Sequence, residues 1–176
     1  MKIKTLALAG AFLAGMAGAA SAHVSFEVPE AEAGSTYKGV LRVGHGCEGA
    51  ATTAFRVMIP DGVINAKPMP KPGWTLETVV GPYAEPALLH GETVTEGVRE
   101  IVWSGGELPD EWFDEFTFRA TLPQGEAGQV IVFTAIQECG DARMEWSEVA
   151  AEGQDPHVLE YPAPTLTLTS PEHHTH

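Results

Sequence analysis

The sequence predicts an all-β chain folded as an antiparallel β-sandwich, on three observations. Apolar residues alternate with polar ones at a period of two along many short stretches, which is the pattern of strands with one buried face. Glycine and proline, 19 and 13 of them, cut these stretches apart where turns are needed. Beyond the first residues no stretch carries the apolar spacing of an amphipathic helix, so sheet must pack on sheet.

The first residues stand apart from that pattern. Lys2 and Lys4 precede an apolar run over 6–17, and Ala20-Ser21-Ala22 places small residues where a signal peptidase reads. Residues 1–22 therefore read as a secretory leader cut after Ala22, which sends the chain to the periplasm. A membrane anchor is the alternative, but the run is short and rich in Gly and Ala, so no stable anchor is expected.

The strands follow in order. Val24, Phe26 and Val28 alternate first, then Tyr37, Leu41 and Val43. Phe55, Val57 and Ile59 form a third set, stopped by Pro60-Asp61-Gly62. Trp74, Leu76 and Thr78 follow the loop Pro68-Met69-Pro70-Lys71-Pro72-Gly73. Residues 98–103 make a fifth strand, and 109–114 at most a single turn. Phe116, Phe118, Ala120 and Leu122 alternate with Glu115, Thr117, Arg119 and Thr121. A β-branched run covers 130–138, and 144–147 and 166–168 close the set. The domain is expected over 23–169, with a His-rich, disordered tail over 170–176.

With a net charge of −14, the chain is unsuited to nucleic acid or anionic membrane surfaces and suited to attracting cations. Cys47 and Cys139 are the only cysteines. Export favours a disulfide between them; free thiols or a dithiolate metal site are the alternatives. Such a bridge would tie an early strand to a late one, in the manner of an Ig-like domain.

Cleavage after Ala22 makes His23 the first residue. Its α-amine and imidazole Nδ1 then close one chelate ring, and an α-amine titrates near about 8, so it deprotonates under a metal at modest cost. Two nitrogens suit Cu(II), which leads the divalent first-row affinity order. A chance histidine after the cut is the plain alternative. A second histidine would have to come from His45, His90 or His157; otherwise an oxygen ligand completes the site. Glu115 is the best such oxygen, since it points away from the Phe116/Phe118 face, although most glutamates are simply solvated. Asp114 is a weaker choice. Trp146 either shields a metal or packs in the core. His45, in Gly44-His45-Gly46-Cys47, is an outer ligand or second-sphere residue. Met58, Met69 and Met144 lack clustered spacing and read as packing or loop residues. His173, His174 and His176 could hold metal loosely. No Gly-x-Ser-x-Gly, His-Glu-x-x-His or phosphate loop occurs, which lowers the case for an enzyme.

These residues carry a resemblance. Ala22-His23-Val24 after a leader, Lys71-Pro72-Gly73-Trp74, Val102-Trp103-Ser104-Gly105-Gly106, Glu115-Phe116-Thr117-Phe118, and the stretch from Gln137-Glu138-Cys139 to Glu145-Trp146 are similar to the YcnI family of bacterial copper-binding proteins. The resemblance covers nearly the whole chain after the leader, to about Pro164. It implies an Ig-like β-sandwich holding one copper ion, Cu(II), in a mono-histidine brace: amine and imidazole from His23, a carboxylate from Glu115, and Trp146 close to the metal. The implied role is storage, delivery or homeostasis of copper without catalysis, with a copper chaperone or transporter as partner. The Cys47/Cys139 pair departs from simpler members of that family. The alternatives are a copper redox enzyme of the oxygenase type, which a second nearby histidine would favour, and a metal-free interaction sandwich.

Overall fold

The computed structural model describes residues 23–155 and 158–170. The expected leader 1–22, His157 and the tail histidines lie outside the described residues, as does most of the expected disordered tail. Among the described residues, twelve strands form three sheets. The first, in spatial order, holds β1 (Ser25–Phe26), β3 (Thr36–Val43), β8 (Asp114–Thr121) and β5 (Ile64–Pro68). The second holds β11 (Ala142–Trp146), β10 (Thr134–Cys139), β4 (Thr52–Met58), β7 (Glu92–Leu108) and β6 (Thr75–Leu89). The third holds β2 (Glu30–Glu32), β12 (Thr165–Thr169) and β9 (Val130–Val132). The first two sheets are antiparallel throughout, and among the described strand pairs only β2/β12 is parallel.

The alternating residues meet between the sheets. Phe55 of β4 stacks on Phe116 of β8 with ring centroids 4.5 Å apart, and Trp103 of β7 approaches the same Phe116 at 5.5 Å. All three are fully buried. Burial of side chains this large contributes about 2–3 kcal/mol each in removed apolar surface, which makes this aromatic group the anchor of the sandwich. Phe26 of β1 and Phe133 extend it toward the third sheet, 4.9 Å apart and nearly perpendicular. The all-β, antiparallel sandwich expected from period-two alternation is what forms.

Several boundaries differ from the expectation, each for a local reason. The strands expected at 74–78 and 98–103 grow into the long hairpin β6–β7, because His90 and Gly91 adopt φ of 52° and 86° and close a two-residue turn. The run 130–138 breaks at Phe133: β9 pairs with β12, whereas β10 pairs with β4 and β11. Phe133 is the buried pivot at which the chain changes sheet, and its N–H goes to Pro164 O at 2.9 Å. Val28 is 55% exposed, since β1 ends at Phe26 ahead of Pro29. Around 109–114 a turn closed by Trp112 N–H on Pro109 O at 3.1 Å gives way to β8 at Asp114.

Cys47 and Cys139 are disulfide-bonded across a separation of 92 residues, which fixes the loop after β3 to the end of β10. Among the described residues no helix is long and apolar enough to cross a membrane.

Candidate metal centre

Trp146 closes β11 and is 2% exposed. Three rings gather around its indole. His23 lies edge-on at 6.0 Å between centroids, His45 edge-on at 6.4 Å, and Tyr161 edge-on at 5.6 Å. Edge-to-face contacts at these distances are the favoured geometry for aromatic quadrupoles. His23 reaches this position because Ser25, two residues on, pairs with Arg42 of β3. It also lines a shallow cleft of about 260 Å³ with Ser25, Pro29 and the 162–165 segment.

The indole is held from behind by Gln137. Ala135, Gln137 and Cys139 point inward from β10, and Gln137 is fully buried. Its Oε1 accepts from Trp146 Nε1 at 3.2 Å. Its Nε2 donates to His45 O at 2.6 Å and to Thr52 Oγ1 at 2.7 Å. A primary amide offers one acceptor oxygen and two N–H donors, so this buried group is satisfied on both ends.

The His45 loop is tied down at several points. Gly46 N–H donates to Asp110 Oδ1 at 2.9 Å, and Cys47 and Ala50 exchange backbone hydrogen bonds at 3.0 and 2.9 Å. A Cβ on Gly46 would lie 1.9 Å from Ala50 O, so only glycine fits this turn. His45 Nδ1 bonds to Gly46 O. A carbonyl only accepts, so Nδ1 is the donor, and in the neutral ring Nε2 then carries the lone pair. That is the tautomer a metal ligand needs, oriented by the backbone hydrogen bond that such ligands usually have.

Glu115 sits on β8 in the row Ser25–Arg42–Glu115, with Arg42 between it and β1. Its carboxylate is 3.7 Å from Arg42 Nε, while Arg42 also pairs with Glu27 at 2.8 Å. Glu115 lines a second cleft, of about 220 Å³, with Met69, Pro70, Lys71, Pro72 and Asp114. There Lys71 Nζ holds Asp114 at 2.6 Å and Glu115 O at 3.1 Å, 4.9 Å above the Phe116 ring.

The structure thus brings His23, His45 and Trp146 together, while Glu115 faces a different cleft. His90 sits in the β6–β7 turn. Met58 is on β4, Met144 on β11, and Met69 in the loop after β5. Among the described residues no group of three or more His, Cys, Asp or Glu side chains converges as a ready-made site. The sequence reading missed Gln137, Thr52 and Tyr161. The inward period through Ala135 and Cys139 was a signal that Gln137 is buried and must have partners.

The fold and its aromatic end define an immunoglobulin-like β-sandwich domain. Residues 23–168 match the family described as "Domain of unknown function (DUF1775)", and the chain belongs to that family. It is similar to the crystal structure of an uncharacterized protein from Nocardia farcinica with an immunoglobulin-like fold. The two are 29% identical, with a TM-score of 0.62, over 84% of this chain and 99% of that one. No curated protein matches the chain.

Proposed function

We propose that this chain is an exported copper-binding protein of the YcnI type, which takes Cu(II) as cargo at His23 and stores it or passes it on. One observation carries this reading: the His23 imidazole lies against a fixed, buried indole at the point where leader cleavage after Ala22 would create a free amine. The family match begins at His23, in keeping with a domain that starts there. Amine and imidazole form the chelate, and Glu115, the carboxylate that the resemblance assigns, stands two strands from β1 on a cleft other than the one His23 lines. Trp146 borders the site, and His45 lies against the same indole. The indole against His23 restricts approach, which favours holding and handover over turnover. The setting is the periplasm, and the recipient or donor is a copper chaperone or transporter.

Cu(II) titration and EPR of protein beginning at His23, compared with protein carrying one extra glycine before it, test this. The extra residue converts the amine to an amide, and affinity should fall by about tenfold or more, with a changed spectrum. Equal affinity and equal spectra would remove the brace. Two imidazoles around one indole favour a second reading, a copper redox enzyme of the oxygenase type. Oxygen-dependent peroxide release from copper-loaded protein would select it.

A further inference from the structure

The cations of this acidic chain are unevenly partnered. Ten lysines and arginines occur, and Lys2 and Lys4 belong to the leader segment. Arg42, Arg56, Lys71, Arg99 and Arg143 each face a carboxylate within ion-pair distance. Lys38, Arg119 and Lys67 have no such partner among the described residues. These three form one row: Lys38 of β3 is the Cα partner of Arg119 of β8, and Arg119 is the partner of Lys67 of β5. All three are exposed. Like charges directly opposite on neighbouring strands destabilise a sheet. A lysine guards an open edge at Lys67 of β5 and at Lys38 of β3, which β1 pairs only at Leu41 and Arg42, but β8 lies between β3 and β5, so edge protection does not account for Arg119.

The row borders a groove of about 330 Å³ whose other walls are Pro68, Met69, Pro70, Thr117 and Phe118. Met69 is 53% exposed there. Pro68 and Pro70 have no N–H, so an incoming strand cannot extend the sheet at this point. An occupant must bind through side chains: anionic groups on the row and an apolar group in the groove.

We propose that this face docks an acidic polypeptide segment that carries an apolar side chain, contributed by a partner protein. Charge complementarity selects the anionic character, and the concave apolar wall selects a side chain over a bilayer surface. A net charge of −14 also repels an anionic membrane from the rest of the molecule. The row crosses β3 at Lys38, toward the start of the strand from Arg42, which pairs with the strand that follows His23. Docking at this face therefore needs no metal at His23.

The experiment is calorimetric titration of the protein beginning at His23 with a short capped peptide alternating glutamate and leucine. A glutamine–leucine peptide and phosphatidylglycerol vesicles are the comparison probes. The acidic peptide should bind, weaken with added salt, and lose roughly fivefold in affinity for each of Lys38→Gln and Arg119→Gln. Met69→Ser should weaken it as well. Arg119→Gln should unfold at an equal or higher temperature than the parent, since it relieves repulsion, so lost binding cannot be ascribed to lost folding. Absence of binding, equal binding of the glutamine–leucine peptide, or indifference to Arg119→Gln would overturn the proposal. So would vesicle binding abolished by Arg119→Gln, or self-association abolished by it, which would give the face to a membrane or to a second copy.

Discussion

The indole N–H of Trp146 donates to the buried side-chain oxygen of Gln137 at 3.2 Å, and the same amide reaches His45 O and Thr52 Oγ1 from its other end. A single glutamine therefore sets both the ring against which His23 lies and the loop that presents His45.

Replacing Gln137 with leucine should cost about 3 kcal/mol, because the Trp146 N–H, His45 carbonyl and Thr52 hydroxyl all lose a buried partner. Urea unfolding measures it. An unchanged midpoint with unchanged slope would mean that the network holds nothing in place.

Trp146 should report Cu(II) directly. If copper sits at His23, its d electrons quench the indole lying 6.0 Å from that ring, and Trp146→Phe should abolish most of the quenching. Trp112, which is 65% exposed and belongs to another turn, serves as the control substitution. Equal quenching in both variants would place the metal elsewhere.

Reduction of the Cys47–Cys139 bond should lower stability by about 4 kcal/mol in the chain-entropy account, given a closed loop of this length. The paired substitution Cys47→Ala/Cys139→Ala should do the same, with the loss read by denaturant melts. The His45 loop, attached at Cys47, should gain amide exchange first.

Stability should decline at alkaline pH through Tyr37. Burial, with Glu27 adding repulsion, pushes its hydroxyl from 10.0 to about 12 in the folded chain. The neutral hydroxyl donates to Val28 O at 2.6 Å. Because the folded value lies above the unfolded one, this contribution is complete below pH 10 and fades as pH rises from there toward about 12. Tyr37→Phe should flatten the melting temperature over that range. A slope identical to that of the parent would assign alkaline unfolding to other groups.

Much of the fold was legible because alternation reports burial directly. Phe116, Phe118, Ala120 and Leu122 read as one inward face, and all are buried. Alternation does not name a strand's partner, so nothing in 130–138 announced that Phe133 would carry the chain from one sheet to another. The site was legible in part. The disulfide followed from the cysteine count and the expected export, and the interest in His23 from the expected leader. That His45 shares an indole with His23, and that Arg42 stands between Ser25 and Glu115, are consequences of register, which only the paired strands reveal. Gln137 carried a polar name at an inward position, and its three partners come from three different segments of the chain.

The disulfide also makes part of the chain a covalent ring running from Cys47 to Cys139, and the tight turn at His90-Gly91 lies within it. A protease that cuts the exposed tip of the β6–β7 hairpin opens the ring without dividing the molecule. The nicked protein should migrate as one species on a non-reducing gel and as two after reduction, with His23 and Trp146 then on separate fragments. Until that reduction, damage at the hairpin tip leaves the two sides of the aromatic end physically joined.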